Sequence, residues 1–529
     1  MTSEGYLAAW RGPATWLRSS RVGPLVGALL VGIGAGAGAI LFRYLIFAFT
    51  WIFTGHKTYG QQGLMASPHL PGIGWWFLLL VPAVGGLMYG PLIYFFAKEA
   101  RGHGVPEVMA AVAEQGGRIR PRVTIVKALA SALCIGTGGS VGREGPIVQI
   151  GSALASTFGQ LIQVSESRMR LLVACGAAGA ISATFNAPLA GAFFSLELVL
   201  RELSTEEVVS VVISSMAADA IGRSVFGSHP FFALPPLTLN SGTDYVLCAV
   251  LGLSAGLVGV AFQKCLYWTE DLWDRLWKGR PEWARPAVGG LVLGLLLLAL
   301  PQLYGVGYPV LQHAITSGYV LWFLAALAAG KIVACSLTIG MGGSGGVFGP
   351  SLFVGTMLGT AYGDAARTAL GSDVGAAGAF GMVGMGAVFA GAARAPLTAV
   401  AATLEMTGDT QLVLPAMLAV GVATVVSQQL SYGTIYTTKL LRRGIDIERS
   451  RPATSVQRLG VGGVIRQLLP RHDPLPSMQE SPVSAQSADS TPGAEPQSFS
   501  AEETLEPALQ QPYSSDPSSL PEIAEDGEQ

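Results

Sequence analysis

Apolar residues run along this chain in long blocks. Pro24 to Phe53, Trp75 to Ala97, Leu171 to Leu200, Tyr245 to Phe262 and Val288 to Leu300 are the clearest. Several approach or exceed the roughly 20 residues that span a bilayer as a helix. The pattern predicts an all-α polytopic membrane protein. The first block is too long for a signal peptide, and no A-x-A cleavage pattern stands out near it. Basic residues flank the apolar region, with Arg11, Arg18 and Arg21 before it and Lys439, Arg442 and Arg443 after it. The positive-inside tendency then predicts cytoplasmic termini and an even number of crossings.

Glycine and proline break these blocks. GTGGSVGREGP, FNAPLAG, GMGGSGGVFGP and ARAPLTA each interrupt an apolar run. In lipid, irregular backbone survives only where protein buries it or it lines an aqueous cavity. The breaks therefore gather around an interior path. They also recur. GGSVGREGP at 138–146 and GGSGGVFGP at 342–350 share the frame G-G-S-x-G-x-x-G-P, 204 residues apart. Ala187-Pro188-Leu189 and Leu196-Glu197 recur 208 residues on as Ala395-Pro396-Leu397 and Leu404-Glu405. Paired interrupted segments in two halves mark a duplicated membrane fold, often inverted, with its binding site where the halves meet.

Composition agrees with the pattern. Of 529 residues, 50% are hydrophobic and 12% charged, against about 25% charged in soluble domains. Mean hydropathy is +0.48. The 69 glycines are about 13% of the chain, against a usual 7% or so. Net charge is −2, which points to no nucleic-acid partner. Cys134, Cys175, Cys248, Cys265 and Cys335 are scattered, with no metal or disulfide spacing. They read as small apolar fillers.

Three regions result. Residues 1–23 are a short polar lead with scope for an amphipathic helix. Residues 24–446 form the membrane region. Residues 447–529 change to Ser, Pro, Glu and Gln. About the last 55 of these have too little apolar surface to order themselves and read as a disordered acidic tail.

The breaks carry chemistry. A Gly-rich break followed by an apolar helix leaves free N–H groups and the positive dipole end at the helix start, which is an anion site. Pro146 and Pro350 suit a first-turn position. Two such ends hold an anion without a fixed cation, as conduction requires. Enzyme motifs fail the same test. No Gly-Lys-Ser/Thr follows the first loop, and the G-x-G-x-x-G at 340–345 and the G-x-S-x-G matches lie between membrane segments. No HExxH occurs. The chain reads as no enzyme, with no metal and no organic cofactor; a membrane-embedded enzyme or scaffold is the reading left from another class. Glu144 sits inside an anion-binding loop. A carboxylate there is a tethered anion, able to fill the ion site and leave it when protonated or displaced. Acidic residues within membrane segments are functional by default. A structural Arg143–Glu144 interaction is the alternative.

GHGVPE at 102–107, GREGP at 142–146, GVFGP at 346–350 and Tyr436 in GTIYTTKLLRRG together resemble the ordered signature of the CLC chloride channel and chloride/proton exchanger family. The resemblance spans about residues 24–446. It implies a homodimer with one anion path per subunit. It also implies a CLC-type fold of two inverted repeats of tilted, broken helices, at roughly 24–225 and 245–446. By position, Glu144 matches the gating glutamate. Val347 and Phe348 match the residues whose amides hold the central chloride, and Tyr436 matches the tyrosine that touches it. His103, Gly104, Arg143, Gly145 and Gly349 fall in the same motifs and complete the expected anion-binding set.

Two departures stand out. The family's first motif usually carries a serine where this chain has His103, an imidazole that can become cationic between about pH 5 and 8. Either it donates to the ion or it turns away and leaves the work to amides. Exchangers often have Glu-Glu where this chain has Glu197-Leu198. Those two residues mark the inner proton-pathway position, and leucine carries no proton. This leans the reading toward passive, channel-like chloride conduction, with chloride/proton exchange as the alternative. Glu405, the repeat partner of Glu197, suggests that both have a helix-packing role. Residues 447–529 are too few for the family's paired CBS domains, so no nucleotide is expected. The predicted setting is a bacterial inner membrane, with lipid and a second copy as partners.

Overall fold

The computed structural model of the protein describes residues 15–17, 20 and 22–448, except 62, 70, 202, 203, 233–238, 240, 372 and 373. Most of the polar lead and the acidic tail lie outside the described residues. The chain divides into Met1–Ile445, which holds every helix named below, and Asp446–Gln529.

Long apolar stretches become helices, and the breaks end them. Among the described residues, eight α-helices make up the first half: α1 (Gly23–Thr54), α2 (Phe77–Phe96), α3 (Val105–Glu114), α4 (Arg122–Gly136), α5 (Glu144–Leu161), α6 (Glu166–Phe185), α7 (Pro188–Phe194) and α8 (Thr205–Phe226). Eight more repeat the order: α9 (Gly242–Leu276), α10 (Arg285–Ala299), α11 (Tyr308–Ser317), α12 (Leu321–Gly340), α13 (Phe348–Leu370), α14 (Ala377–Ala393), α15 (Pro396–Thr407) and α16 (Val413–Leu430). A short α17 (Thr437–Leu441) follows. The run Leu171 to Leu200 is not one span. Asn186, in the left-handed region at φ 59°, ends α6, and Pro188 opens α7.

Helices pack as small-residue surfaces let them. Gly32 and Gly36 of α1 lie against Ser214 and Ala218 of α8, as Gly252 and Gly256 of α9 lie against Ala419 and Val426 of α16. Close backbone approach is the usual route to helix association in lipid, where burial of apolar surface gives no drive. The opposite faces carry exposed apolar side chains such as Leu29, Ile33 and Leu41 on α1 and Val246, Val250 and Leu253 on α9. The helices α6 from Leu171 and α14 from Gly378 are buried all round, as expected of helices apolar on every face.

The halves meet through their own counterparts. α2 packs on α10, and α7 packs on α15. Equivalent elements touching one another is the signature of a two-fold relation. Among the described residues, seven helices are long and apolar enough to cross a membrane. Six form repeat pairs: α1 with α9, α2 with α10, and α8 with α16. The seventh, α12, lacks a twin of spanning length, because α4 is only 15 residues long. The protein is thus a multi-pass integral membrane protein with its irregular backbone held inside.

Candidate anion site

The site is built where the two Gly-rich loops cross. Gly142 donates to the Gly346 carbonyl at 2.7 Å and Gly346 donates to the Gly142 carbonyl at 2.6 Å. These are equivalent residues of the two repeats, so the pseudo-two-fold axis passes through this clasp. A Cβ on Gly346 would lie 2.6 Å from the Gly145 nitrogen, so only glycine permits the approach. The starts of α5 and α13 are thereby brought face to face.

Buried polar groups pin the loops. Ser140 Oγ donates to the Leu303 carbonyl at 2.6 Å, and Ser344 Oγ donates to the Ala100 carbonyl at 2.7 Å. Each serine ties its loop to the other half. Lys127 Nζ donates to the carbonyls of Ala100 and Gly102 at 2.9 and 2.8 Å. Lys331 Nζ donates to the Gly305 carbonyl and Ser140 Oγ at 2.8 and 3.0 Å. Both amino groups are buried, and each donates to two oxygens that offset the loss of water. These lysines were not singled out from the sequence, although they recur 204 residues apart within the repeat. Nor was a third recurrence. Gly102-His103-Gly104-Val105-Pro106 returns as Gly305-Val306-Gly307-Tyr308-Pro309 and opens α3 and α11. The spacing G-x-G-x-P was the available signal. Gly104 has φ 81°, and a Cβ there would lie 2.7 Å from the Gly145 carbonyl oxygen, which sets α3 directly against α5.

Glu144 is the first residue of α5 and is buried. Its carboxylate reaches across to the other half. Oε2 accepts the Gly349 N–H at 3.1 Å, and Oε1 accepts the Tyr308 hydroxyl. The tethered carboxylate thus lies at the start of α13, where free N–H groups and the helix dipole favour an anion. Among the described residues it forms no ion pair with Arg143. The Arg143 guanidinium donates to the Thr184 carbonyl at 3.2 Å and lies 5.1 Å from the centre of the Tyr308 ring. Beside it is a cavity of about 340 Å³ lined by Arg43, Phe185, His229, Phe231 and Tyr308. A second, of about 100 Å³, is lined by Arg43, Lys57, Arg143 and Tyr308.

His103 and Tyr436 meet on another side of α5. Their ring centroids are 6.0 Å apart, and Gly145 packs against the His103 carbonyl. Tyr436 caps α17 and is held by its neighbours. The Ile435 N–H donates to the Ala392 carbonyl at 2.9 Å, and the Tyr267 hydroxyl donates to the Ile435 carbonyl at 2.7 Å. Both rings are buried, and neither His103 Nδ1 nor Tyr436 Oη has a hydrogen-bond partner among the described residues. Val347 caps α13 and Phe348 opens it. Among the described residues, no backbone carbonyl takes the N–H of either. The Phe348 ring packs on Phe389 and Phe185 at 4.5 and 5.3 Å between centroids. A cavity of about 550 Å³ lies by Gly102, with Arg101, Lys439 and Arg443 among its lining cations.

Glu197 has its oxygens elsewhere. They accept the N–H groups of Leu397 and Thr398 at 2.9 and 2.8 Å and the Thr398 hydroxyl at 2.6 Å. Glu405 mirrors it, taking the N–H groups of Leu189 and Ala190 at 2.9 and 2.8 Å. Each half caps the opening of the other half's helix. Leu198 is buried beside Glu197, in the π-turn Ser195–Leu200.

Fold and site together define an ion-transport type of membrane protein: two interlocked repeats with helix starts facing a common point. The sequence profile of the voltage gated chloride channel family matches residues 85–428, and the chain belongs to this family. It is 33% identical to a ClcB-like protein of Ralstonia nicotianae over 80% of this chain and 98% of that protein. It is 33% identical to the H(+)/Cl(-) exchange transporter ClcA of Vibrio parahaemolyticus, over 71% of this chain and 82% of the relative. Its fold matches the crystal structure of a slow cyanobacterial Cl−/H+ antiporter with a TM-score of 0.70 and 25% identity, covering 80% of this chain and 99% of that one. The family consists of transporters and channels, not enzymes.

Proposed function

We propose that the protein carries chloride across a bacterial plasma membrane, through a path in each subunit that Glu144 gates. Conduction is passive. The reading rests on one observation above all: the Glu144 carboxylate takes a backbone N–H at the start of α13. A chloride ion would seek the same donors, so carboxylate and ion compete. The amides of Val347 and Phe348, Tyr436 Oη and, when Nδ1 carries the proton, His103 supply further donors that have no acceptor among the described residues. Gly104, Arg143, Gly145 and Gly349 shape the loops rather than lend a cation to the ion, because the Arg143 guanidinium is turned to Thr184. Protonation of Glu144 removes the tethered charge and frees the site.

Leu198 favours passive conduction, since a buried leucine breaks the proton route at its inner position. Exchange of chloride for protons is the second reading. It is favoured by the relative named an H(+)/Cl(-) exchange transporter and by the antiporter structure. A second copy of the chain is the proposed partner. Both termini are cytoplasmic in this reading, and no cofactor or nucleotide takes part.

The experiment is a reconstitution in liposomes with a chloride gradient and no pH gradient, recording external pH. Chloride movement without protons supports the channel. Uphill proton movement that a protonophore collapses supports the exchanger instead. Glu144→Gln keeps anion flux and abolishes its pH dependence; an unaltered pH profile would remove Glu144 as the gate.

A further inference from the structure

We propose that Tyr308 is the latch of the gate: its hydroxyl holds the Glu144 carboxylate in the anion site, and the gate opens only when that hydrogen bond breaks. This rests on the reading of Glu144 as the gate. Tyr308 belongs to the second repeat and Glu144 to the first, so the latch closes across the repeat interface.

The phenol is fixed in place. Its ring lies edge-on to Phe231 at 4.9 Å and to Phe185 at 6.0 Å between centroids. The Arg143 guanidinium lies 5.1 Å from the ring centre. The residue preceding the gate therefore holds the latch, not the gate. An aromatic ring so enclosed keeps its hydroxyl aimed without loss of side-chain freedom on closure. Gly349 supplies the second donor to the same carboxylate, on the far oxygen. Each oxygen of Glu144 thus has one donor when seated, one from a backbone amide and one from Tyr308. The amide belongs to the anion-binding helix start and would serve chloride equally. The phenol, standing at the cavities that Arg43 also lines, is the donor particular to the carboxylate.

The charged and titratable groups around this pair include Arg143 just before α5, Arg43 on α1, Lys331 and Cys335 on α12, Tyr436 before α17, and Lys57 and His229 in the cavities that Tyr308 lines. All of them remain when Tyr308 is replaced, so a change in pH response on its removal belongs to the lost hydroxyl.

The test uses the full chain in liposomes, with chloride efflux followed from pH 4.5 to 7.5. Tyr308→Phe keeps the ring and removes the donor. A hydrogen bond to a charged group is worth about tenfold in equilibrium. A donor to the carboxylate favours its ionised, seated form, so its loss raises the pH at which Glu144 protonates and leaves. Efflux at pH 7 should rise about tenfold, and the pH midpoint should move up by about one unit. In the Glu144→Gln background the same change should do nothing. Fluorotyrosine at 308, a stronger donor of nearly the same shape, should move the midpoint down, and it keeps the test alive if the Phe variant fails to fold. An unmoved or lowered midpoint in Tyr308→Phe, with Glu144→Gln still abolishing pH dependence, overturns the latch alone. A Tyr308→Phe effect that persists in Glu144→Gln shows a structural role only. A pH profile untouched by Glu144→Gln overturns the gate reading, and the latch falls with it.

Discussion

Two loops of nearly the same sequence meet at the centre of this molecule and do different work. In the first, the residue that opens the helix is Glu144; in the second, 204 residues on, it is Phe348. Both sit one residue after a cap, both are buried, and both follow a glycine that pairs with its own counterpart. Glu144 crosses to the other half and takes a donor at its helix start. Phe348 turns into a cluster with Phe185, Phe194 and Phe389 and leaves its own amide free of a backbone acceptor. The repeat supplies two equivalent helix starts facing one point. One copy carries a carboxylate at its first position and the other a packed ring, and in the proposed reading that asymmetry is what gates the path.

Removing the Phe348 ring breaks the comparison most forcefully. Phe348→Ala should cost about 3 to 5 kcal/mol, the usual range for a buried aromatic reduced to alanine. Thermal unfolding in detergent reads it as a large fall in midpoint; a fall no greater than that of Glu144→Gln would mean the ring is not structural. A smaller effect is expected at the second matched pair. Glu197→Ala and Glu405→Ala each strand two backbone N–H groups of the opposite half, and Glu197→Ala also frees the Thr398 hydroxyl, at about 2 kcal/mol per variant. The two variants should lower the midpoint by like amounts. If Glu197→Ala alone altered proton movement in liposomes, Glu197 would have a task beyond its cap, and the exchange reading would gain. The smallest stability change belongs to Glu144→Gln. An amide oxygen still accepts one donor, so stability should fall by less than about 1 kcal/mol, with a correspondingly small shift in midpoint. Its signature is functional, in the pH profile of flux. A large loss of stability would recast Glu144 as a structural carboxylate.

Much of this was legible in the sequence, and the reasons are local. Apolar runs of bilayer length became α1, α2, α9 and α10, because a helix there satisfies its own backbone. The recurring frames marked equivalent loops, because a break that admits only glycine leaves a recognisable spacing. The partners of the carboxylates were another matter. Glu144 has Arg143 beside it in sequence, and the two do not pair. Its partners are 164 and 205 residues away. Tyr308 stands in a motif whose only legible sign was a G-x-G-x-P repeat. The pairing of Glu197 with α15 and of Glu405 with α7 joins residues some 200 or more positions apart, and no periodicity within one half encodes it.

The sequence by itself determined that this chain spans a membrane, that it is duplicated, and that its charges are few, with Arg143 and Glu144 placed in a glycine-rich break. Those properties follow from each residue's own transfer energy and backbone freedom, which are local. The tertiary structure decided which repeat donates to which. It set Arg143 on Tyr308 and Tyr308 on Glu144, and it capped each half's helix with the other half's carboxylate. A two-fold arrangement of interlocked halves brings distant positions within hydrogen-bond reach, and such contacts depend on the packing of both halves at once.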